Sequence, residues 1–469
     1  MYHILVIDQG THASRAMLFD AAGEQAAQAE VTVGLQRIDQ FRVEQDPEDI
    51  LASIHQAIQA LPPDLLSRAS YCGICTQRST SVAWNRNSGK ALAPALSWQD
   101  TRCQSELGPL KPLASRIRQL TGLPLSPHYG AGKFRWLLQH SATVREAEAA
   151  GELVLGPLAS YLAYQLLKQQ PLLVDHSNAH RSLLMDIRQL DWSLELLDLF
   201  HISPALLPKC VPTCANHGKL ERYGIPITTL CGDQSAAFYA EGVVGPQTAC
   251  INLGTGAFIL ANTAAPPEHT ELLCGLAASG ENWHHYLLEG TVNGAGTAIS
   301  WLQQNQADFD TSHMDEIMTT ATNPPLFINS VGGLGSPWWF NPGSPRFVGD
   351  ADAALPEKLT AVVESIVFLL QKNLECIQAL QPITQLKISG GLSRSDTLCQ
   401  KLADLSGLVV TRINTREGSA RGCAWLAGGQ PDWHNPPGER FQAREDPMLA
   451  ERYRRFVGEI SRIQQNNYT

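Results

Sequence analysis

The chain has 469 residues, 44% of them apolar and only 17% charged, which is long enough for several cored domains and excludes a disordered polymer or a small stapled module. Lysine and arginine total 35 against 45 aspartates and glutamates, a formal charge of −10, so no basic field is offered to nucleic acid or anionic lipid. The opening MYHILVIDQG lacks the flanks of a signal peptide, and no apolar run approaches the about 20 residues that span a bilayer; the expectation is a cytoplasmic protein with neither membrane nor nucleic acid as partner.

In chain order, residues 3–8 read as a β-rich apolar strand, DQGTHAS as a tight turn, and 15–20 and 26–33 as two further strands, an antiparallel meander. PEDILASIHQAIQAL (47–61) begins with proline and acidic residues and spaces Ile50, Ile54, Ala57, Ile58 and Leu61 along one helical face, predicting an amphipathic helix on that sheet. Residues 69–75 and 81–85 are strand-like. After about residue 245 the logic restarts: 248–251 is a strand, LGTG a glycine turn and 257–262 the return strand, so the two halves share a pattern rather than a literal repeat. A helix over 358–380, a strand over 385–389, a Gly390-Gly391 turn and helices over 396–406 and 418–427 complete an α/β order, and 332–346 reads as a long ordered loop. The 11 cysteines are an odd, scattered set that suits a reducing compartment; Cys72 with Cys75 and Cys210 with Cys214 lack a second pair at zinc-ligand spacing.

Three backbone turns carry the chemistry. Asp8-Gln9-Gly10-Thr11 ends a buried strand and leaves a carboxylate and N–H groups at one rim, where Mg²⁺ and phosphate oxygens can be held, although alone it is equally an ordinary hairpin. Gly254-Thr255-Gly256 repeats the arrangement in the second half, and Ser389-Gly390-Gly391 offers a third close approach before a helix. Cys231-Gly232-Asp233-Gln234 lies between strand-like 227–230 and alanine-rich 235–240, so Asp233 stands at a strand end or helix start, as a general base or simply a helix cap. Trp338 and Trp339 are read as packing for their own loop, and His284 with His285 lacks a third ligand.

DQGTHASRAMLFD, TQRSTSVAWNRNSGKAL, ALSWQDTRC, YGAGKFRWLLQH, GDQSAAF, INLGTGAFILANT, GGLGSPWW, LKISGGLSRSDTLCQKLADLSG and EGSARGCAWLAG, in this order, resemble the FGGY family of carbohydrate kinases, and within it most closely the glycerol kinases. The resemblance runs nearly end to end and implies two RNase-H-like domains of the actin-like ATPase superfamily, at 1–241 and 242–469, closing on a nucleotide and substrate cleft about a hinge near residue 242. It also implies ATP and Mg²⁺, a small sugar or polyol acceptor, and an assembly such as a homodimer, for which the sequence marks no interface. By position, Asp233 matches the catalytic base and Asp8 the carboxylate holding Mg²⁺ through its water shell. Thr11, His12, Arg15, Gly254 and Thr255 match the two phosphate loops; Gly296, Ser300, Gly391 and Ser395 match positions around the nucleotide. Arg78, Trp98, Asp233, Gln234 and Phe258 match acceptor contacts.

The departures sharpen the expectation. Where glycerol kinases read Q-R-E-T, this chain reads Gln77-Arg78-Ser79-Thr80, so the carboxylate that accepts two glycerol hydroxyls is absent. His128 stands where a tyrosine is expected, beside Tyr129; His12 replaces a hydroxyl residue, and Ser300 and Ser395 replace amides; the YGAGK stretch lacks its usual hydroxyl or proline. The sequence therefore predicts an ATP-dependent kinase for a polyol or ketose longer than glycerol, such as a pentulose, with Ser79 and His128 in the acceptor site. A true glycerol kinase and a weakly active, nucleotide-gated sugar-binding or regulatory protein are the alternatives.

Overall fold

The computed structural model describes residues 2–305, 309–413 and 417–467. Its first sheet grows from β1 (His3–Gln9), buried along its whole length, which turns tightly into antiparallel β2 (Ala13–Phe19) and β3 (Gln25–Thr32). On the other side of β1 lie β4 (Ala69–Thr76) and β6 (Pro226–Gly232), both parallel to it, with β5 (Cys214–Lys219) at the edge, in the order β5-β6-β4-β1-β2-β3. Helix α1 (Pro47–Gln59) is capped by the Asp46 side chain and buries Ile50, Ile54, Ala57 and Ile58 against Leu5, Ile7, Ala16 and Leu18, as its spacing predicts.

The second half repeats this plan. β7 (Thr248–Leu253) pairs antiparallel with β8 (Ala257–Thr263), which pairs with β10 (His284–Val292); β9 (Leu273–Ser279) lies outside β10. Parallel β11 (Gln385–Ser389) and β12 (Val409–Arg412), then β13 (Glu439–Phe441), complete the order β9-β10-β8-β7-β11-β12-β13. The long helix Leu355–Gln378 buries one face on this sheet; it starts and stops slightly before the 358–380 read from the pattern, because Pro356 sits in its first turn. The chain is therefore two α/β domains of shared topology, with a third apolar cluster between them that joins Ile4, Val6 and Phe19 to Leu260, Leu287 and Trp425. Among the described residues no helix is long and apolar enough to cross a membrane.

Two features were not apparent from the pattern. Strand Ser81–Asn85 leaves the first sheet and joins Gln36–Arg37, Val43–Gln45, Ala95–Leu96 and Leu153–Pro157 in a separate five-stranded sheet. The helix that follows the Asp233 strand end starts at Asp233, one of the two placements read for it, and is only about one turn long, α2 (Asp233–Ala237). Segment 332–346 is an ordered excursion closed at its base by pairing of Leu326–Ile328 with Arg346–Val348.

Candidate functional site

Parallel strands place their carboxyl ends on one rim, and there the candidate residues gather. Asp8 on β1 is level with Cys75 on β4, which is level with Cys231 on β6, so Gly232 and Asp233 emerge one and two steps beyond Asp8 and two strands away. Asp8 accepts from Cys75 Sγ at 3.4 Å and faces Arg15 Nη1 at 3.8 Å. Burial, and then the charge of Asp233, push its carboxyl up to about 6. Burial likewise raises Asp233, whereas Arg78, with Nε 3.8 Å from Asp233 Oδ1, opposes the rise. Asp233 is the first residue of α2, and the strand end before it is fixed: Gly232 N–H donates to Ser177 Oγ at 2.9 Å, and Ser177 in turn donates to fully buried Asp175.

The first turn is held by buried amides. Gly10 N–H closes it onto the Ala13 carbonyl at 2.9 Å. Gln77 donates to Gln9 and Gln45 side chains at 3.0 and 2.9 Å, and Gln45 donates to the Thr11 carbonyl at 2.9 Å. Gln77 also accepts from Thr80 Oγ1 at 3.0 Å, Thr80 accepts from Trp98 N–H at 3.1 Å, and Trp98 Nε1 returns to Thr11 Oγ1 at 2.9 Å. This ring joins the loop carrying Thr11 and exposed His12 to the wall carrying Trp98. Arg15 is shared among Asp8, Glu30 and, across the domain boundary, Glu417 at 3.7 Å.

Trp98 and His128 stack edge to face at 5.7 Å, and His128 meets Tyr129 at 5.1 Å. Burial, then Lys133, hold His128 well below the usual histidine range, so its imidazole is neutral. Ser79 adopts φ +66, and its buried Oγ has no hydrogen-bond partner among the described residues. One side chain braces this wall: fully buried Lys133 donates to the carbonyls of Ser79, Ser97 and His128 at 3.1, 2.7 and 2.9 Å. Burial pulls its ammonium down to about 7, while three carbonyl acceptors suit the charged form. Lys133→Met is expected to strand these carbonyls, lowering stability by about 2–4 kcal/mol in denaturant titrations and raising the acceptor KM several-fold; an acceptor KM equal to that of the unsubstituted protein would show that the wall holds without it.

The second domain supplies one continuous cavity of about 610 Å³ lined by Gly254, Thr255, Gly296, Ser300, Gly391 and Ser395, six of the nine phosphate and nucleotide positions read from sequence; Thr11, His12 and Arg15 stand on the first domain and do not line it. The Gly254–Gly256 turn is welded to the helix Gly296–Asn305: Gly296 N–H donates to the Gly254 carbonyl at 3.0 Å and Thr297 N–H to the Thr255 carbonyl at 3.1 Å. Gly390, at φ +95, lies so close to the Leu253 carbonyl that a Cβ would collide with it. Ser395 has a second task, since its hydroxyl donates to Asp315 at 2.5 Å and caps the helix Asp396–Ser406. Asp315, Thr297 and Arg394 also line this cavity and had no signal in a turn motif.

Phe258 on β8 is half-buried and pairs with Thr291 on β10, while Leu260 pairs with Glu289, so strand alternation sets Phe258 and Glu289 on one face toward the first domain. Glu289 meets Arg181 Nη2 at 2.5 Å and Arg78 Nη1 at 3.6 Å. Gln234 N–H donates back to Asp233 Oδ1 at 2.7 Å. Sequence reading missed Lys133, Gln45, Asp175, Arg181 and Glu289; a lone charge in the buried run of β10 was the one signal for Glu289. Trp338 and Trp339 pack against the second-domain and first-domain cores respectively, and His285 pairs with Tyr239.

Two domains of one topology, each with a glycine turn after its first strand, and the carboxylates of Asp8, Asp233 and Glu289 where they meet, define a two-domain phosphotransferase of the actin-like ATPase fold. The chain matches the FGGY family of carbohydrate kinases, N-terminal domain over residues 3–239 and C-terminal domain over residues 249–429, and it belongs to that family of ATP-dependent kinases. It is 35% identical to the glycerol kinase of Trichlorobacter lovleyi over 447 residues, covering 91% of this chain and 90% of that one. It is 32% identical to the glycerol kinase of Shewanella frigidimarina, covering 91% and 89%. The crystal structure of Plasmodium falciparum glycerol kinase with ADP shares the fold at a TM-score of 0.87 and 23% identity, covering 98% of each chain. That of ligand-bound xylulose kinase from Lactobacillus acidophilus does so at 0.85 and 20%, covering 99% of this chain and 98% of that one.

Proposed function

We propose that this kinase phosphorylates a hydroxyl of a polyol or ketose longer than glycerol, with Asp233 as general base and ATP in the cleft between domains 1–241 and 242–469. Ser79 carries the reading: a small hydroxyl, buried and without a hydrogen-bond partner among the described residues, stands beside Arg78 where glycerol kinases place a carboxylate. A site with an unmet donor or acceptor favours the ligand that satisfies it, and an additional hydroxyl on a longer chain is such a ligand. Trp98 and Phe258 offer flat apolar faces to carbon, and neutral His128 can donate or accept.

In this mechanism Asp233 takes the proton from the attacking hydroxyl, Arg78 orients that substrate, and the backbone N–H of Thr255 meets a phosphate oxygen, while Gly254 N–H holds the turn by donating to the Gly256 carbonyl at 2.9 Å. The carboxylates also fit Mg²⁺: Asp8 is buried, and the charge of half-buried Asp233 adds to burial in raising its carboxyl, a penalty that a nearby dication would relieve. When bound, Mg²⁺ would neutralise charge between the phosphates, with Asp8 as its fixed anchor.

The test is kcat/KM for glycerol, erythritol, D-ribulose and D-xylulose. A longer acceptor is expected to exceed glycerol by about tenfold, the value of one well-made polar contact. Ser79→Glu places the larger side chain at a φ that already carries one, and should move preference toward glycerol. Glycerol emerging as the best of the four would favour the second reading, a true glycerol kinase, which the identity of 35% to a protein of that name supports.

A further inference from the structure

We propose that Glu289 is a positioning residue of the acceptor site, holding Arg78 in place from the opposite domain. This rests on the reading of Arg78 and Asp233 as acceptor-site residues. Glu289 is 5% exposed and lies on β10 of the second domain, while Arg78 and Arg181 belong to the first. Arg181 pins one carboxylate oxygen at 2.5 Å, and that same oxygen stands 3.6 Å from Arg78 Nη1. On its other side Arg78 Nε is 3.8 Å from Asp233. Both separations exceed a hydrogen bond, so the guanidinium is balanced between two carboxylates and keeps its N–H groups for a ligand.

The surroundings leave Arg78 little other freedom. Its side chain packs over Gly232, where a Cβ would come within 2.6 Å of Arg78 Cγ, so the stem is fixed and only the head answers to charge. Without the Glu289 charge, Asp233 is the nearest carboxylate, and the head would close on it. That closure would occupy both the cation that orients the acceptor and the carboxylate that takes its proton. Glu289 is equally well fixed: burial acts against its charge, but Arg181 and Arg78 outweigh burial and keep its carboxyl below the usual glutamate range. Because the carboxylate and the two arginines come from different domains, the acceptor site is fully shaped only when the domains are together.

The experiment compares Glu289→Gln, Glu289→Asp, Arg78→Met and the double variant Arg78→Met/Glu289→Gln, each checked for folding by thermal denaturation. Glu289→Gln is expected to raise the acceptor KM about tenfold, by more than it lowers kcat, with the ATP KM within about twofold of the unsubstituted enzyme. Glu289→Asp keeps a charge for Arg181 but draws it away from Arg78, and should give a smaller rise; it carries the test if the glutamine variant does not fold. In the Arg78→Met background the glutamine substitution should add less than about twofold, since its effect runs through Arg78. An acceptor KM unchanged in both Glu289 variants overturns the proposal, as does a rise of equal size without Arg78, or one shared by the ATP KM, which would mark a purely structural ion pair. An Asp233→Asn enzyme that retains turnover instead overturns the underlying reading of the site; an inactive one, with unaltered acceptor KM in the Glu289 variants, overturns this inference alone.

Discussion

Asp233→Asn is expected to lower kcat about 10²–10⁴-fold, the range for loss of a general base, while ATP affinity by calorimetry stays close to that of the unsubstituted enzyme. Asparagine fills the same volume but cannot take a proton. Its position should survive, because the strand end is fixed through Gly232 and Ser177 at 2.9 Å rather than through the Asp233 carboxylate. Folding should also survive, since burial already disfavours the charge that the substitution removes. The raised carboxyl adds a sign: as pH falls through its pKa the base is protonated, so kcat/KM for the acceptor should decline on the acid side, and this limb should be missing from the residual activity of the variant. Turnover near that of the unsubstituted enzyme would place the base elsewhere.

What the sequence made legible follows from which interactions are local. The β1–β2 turn, the amphipathic α1 and the glycine turns at Gly254 and Gly390 are set by residues adjacent in the chain, and all appear where expected. The five-stranded sheet was hidden because Gln36–Arg37 and Ala95–Leu96 are too short to show a period, and their pairing joins segments far apart in the chain. The candidate site divides in the same way. The second-domain turn positions Gly254, Thr255 and Gly391 line one cavity, whereas the groups that hold the walls, Lys133, Gln45, Gln77 and Glu289, are single buried polar residues within apolar surroundings. Such a residue reads in sequence as an exception to burial. Only the fold shows that Lys133 reaches three carbonyls, or that Glu289 faces two arginines of the other domain.

Asp8 sets stability and function against each other, and Asp8→Asn is expected to show both. In the absence of ligands its carboxyl is raised from 3.8 to about 6, by burial first and then by Asp233. Between those values the folded state keeps a proton that the unfolded state has released, so stability falls as pH rises through that window. Above it, the charge costs on the order of 2–3 kcal/mol, at about 1.4 kcal/mol per pKa unit. Asparagine removes the cost and can still accept from Cys75 Sγ, and Arg15 retains Glu30 and Glu417. The ligand-free variant should therefore melt at a higher temperature near pH 7.5, with the gain shrinking as pH falls and gone about one unit below 3.8, where both states of the unsubstituted enzyme hold the proton. Activity should move the other way: the Mg²⁺ concentration for half-maximal rate is expected to rise about 10–100-fold, because the ion loses its anchoring carboxylate. Acceptor affinity measured without ATP should be spared, since Arg78 and Asp233 are untouched. If calorimetry instead shows the acceptor losing affinity while Mg·ATP keeps it, Asp8 faces the acceptor rather than the phosphates, and the geometry proposed for the cleft is wrong.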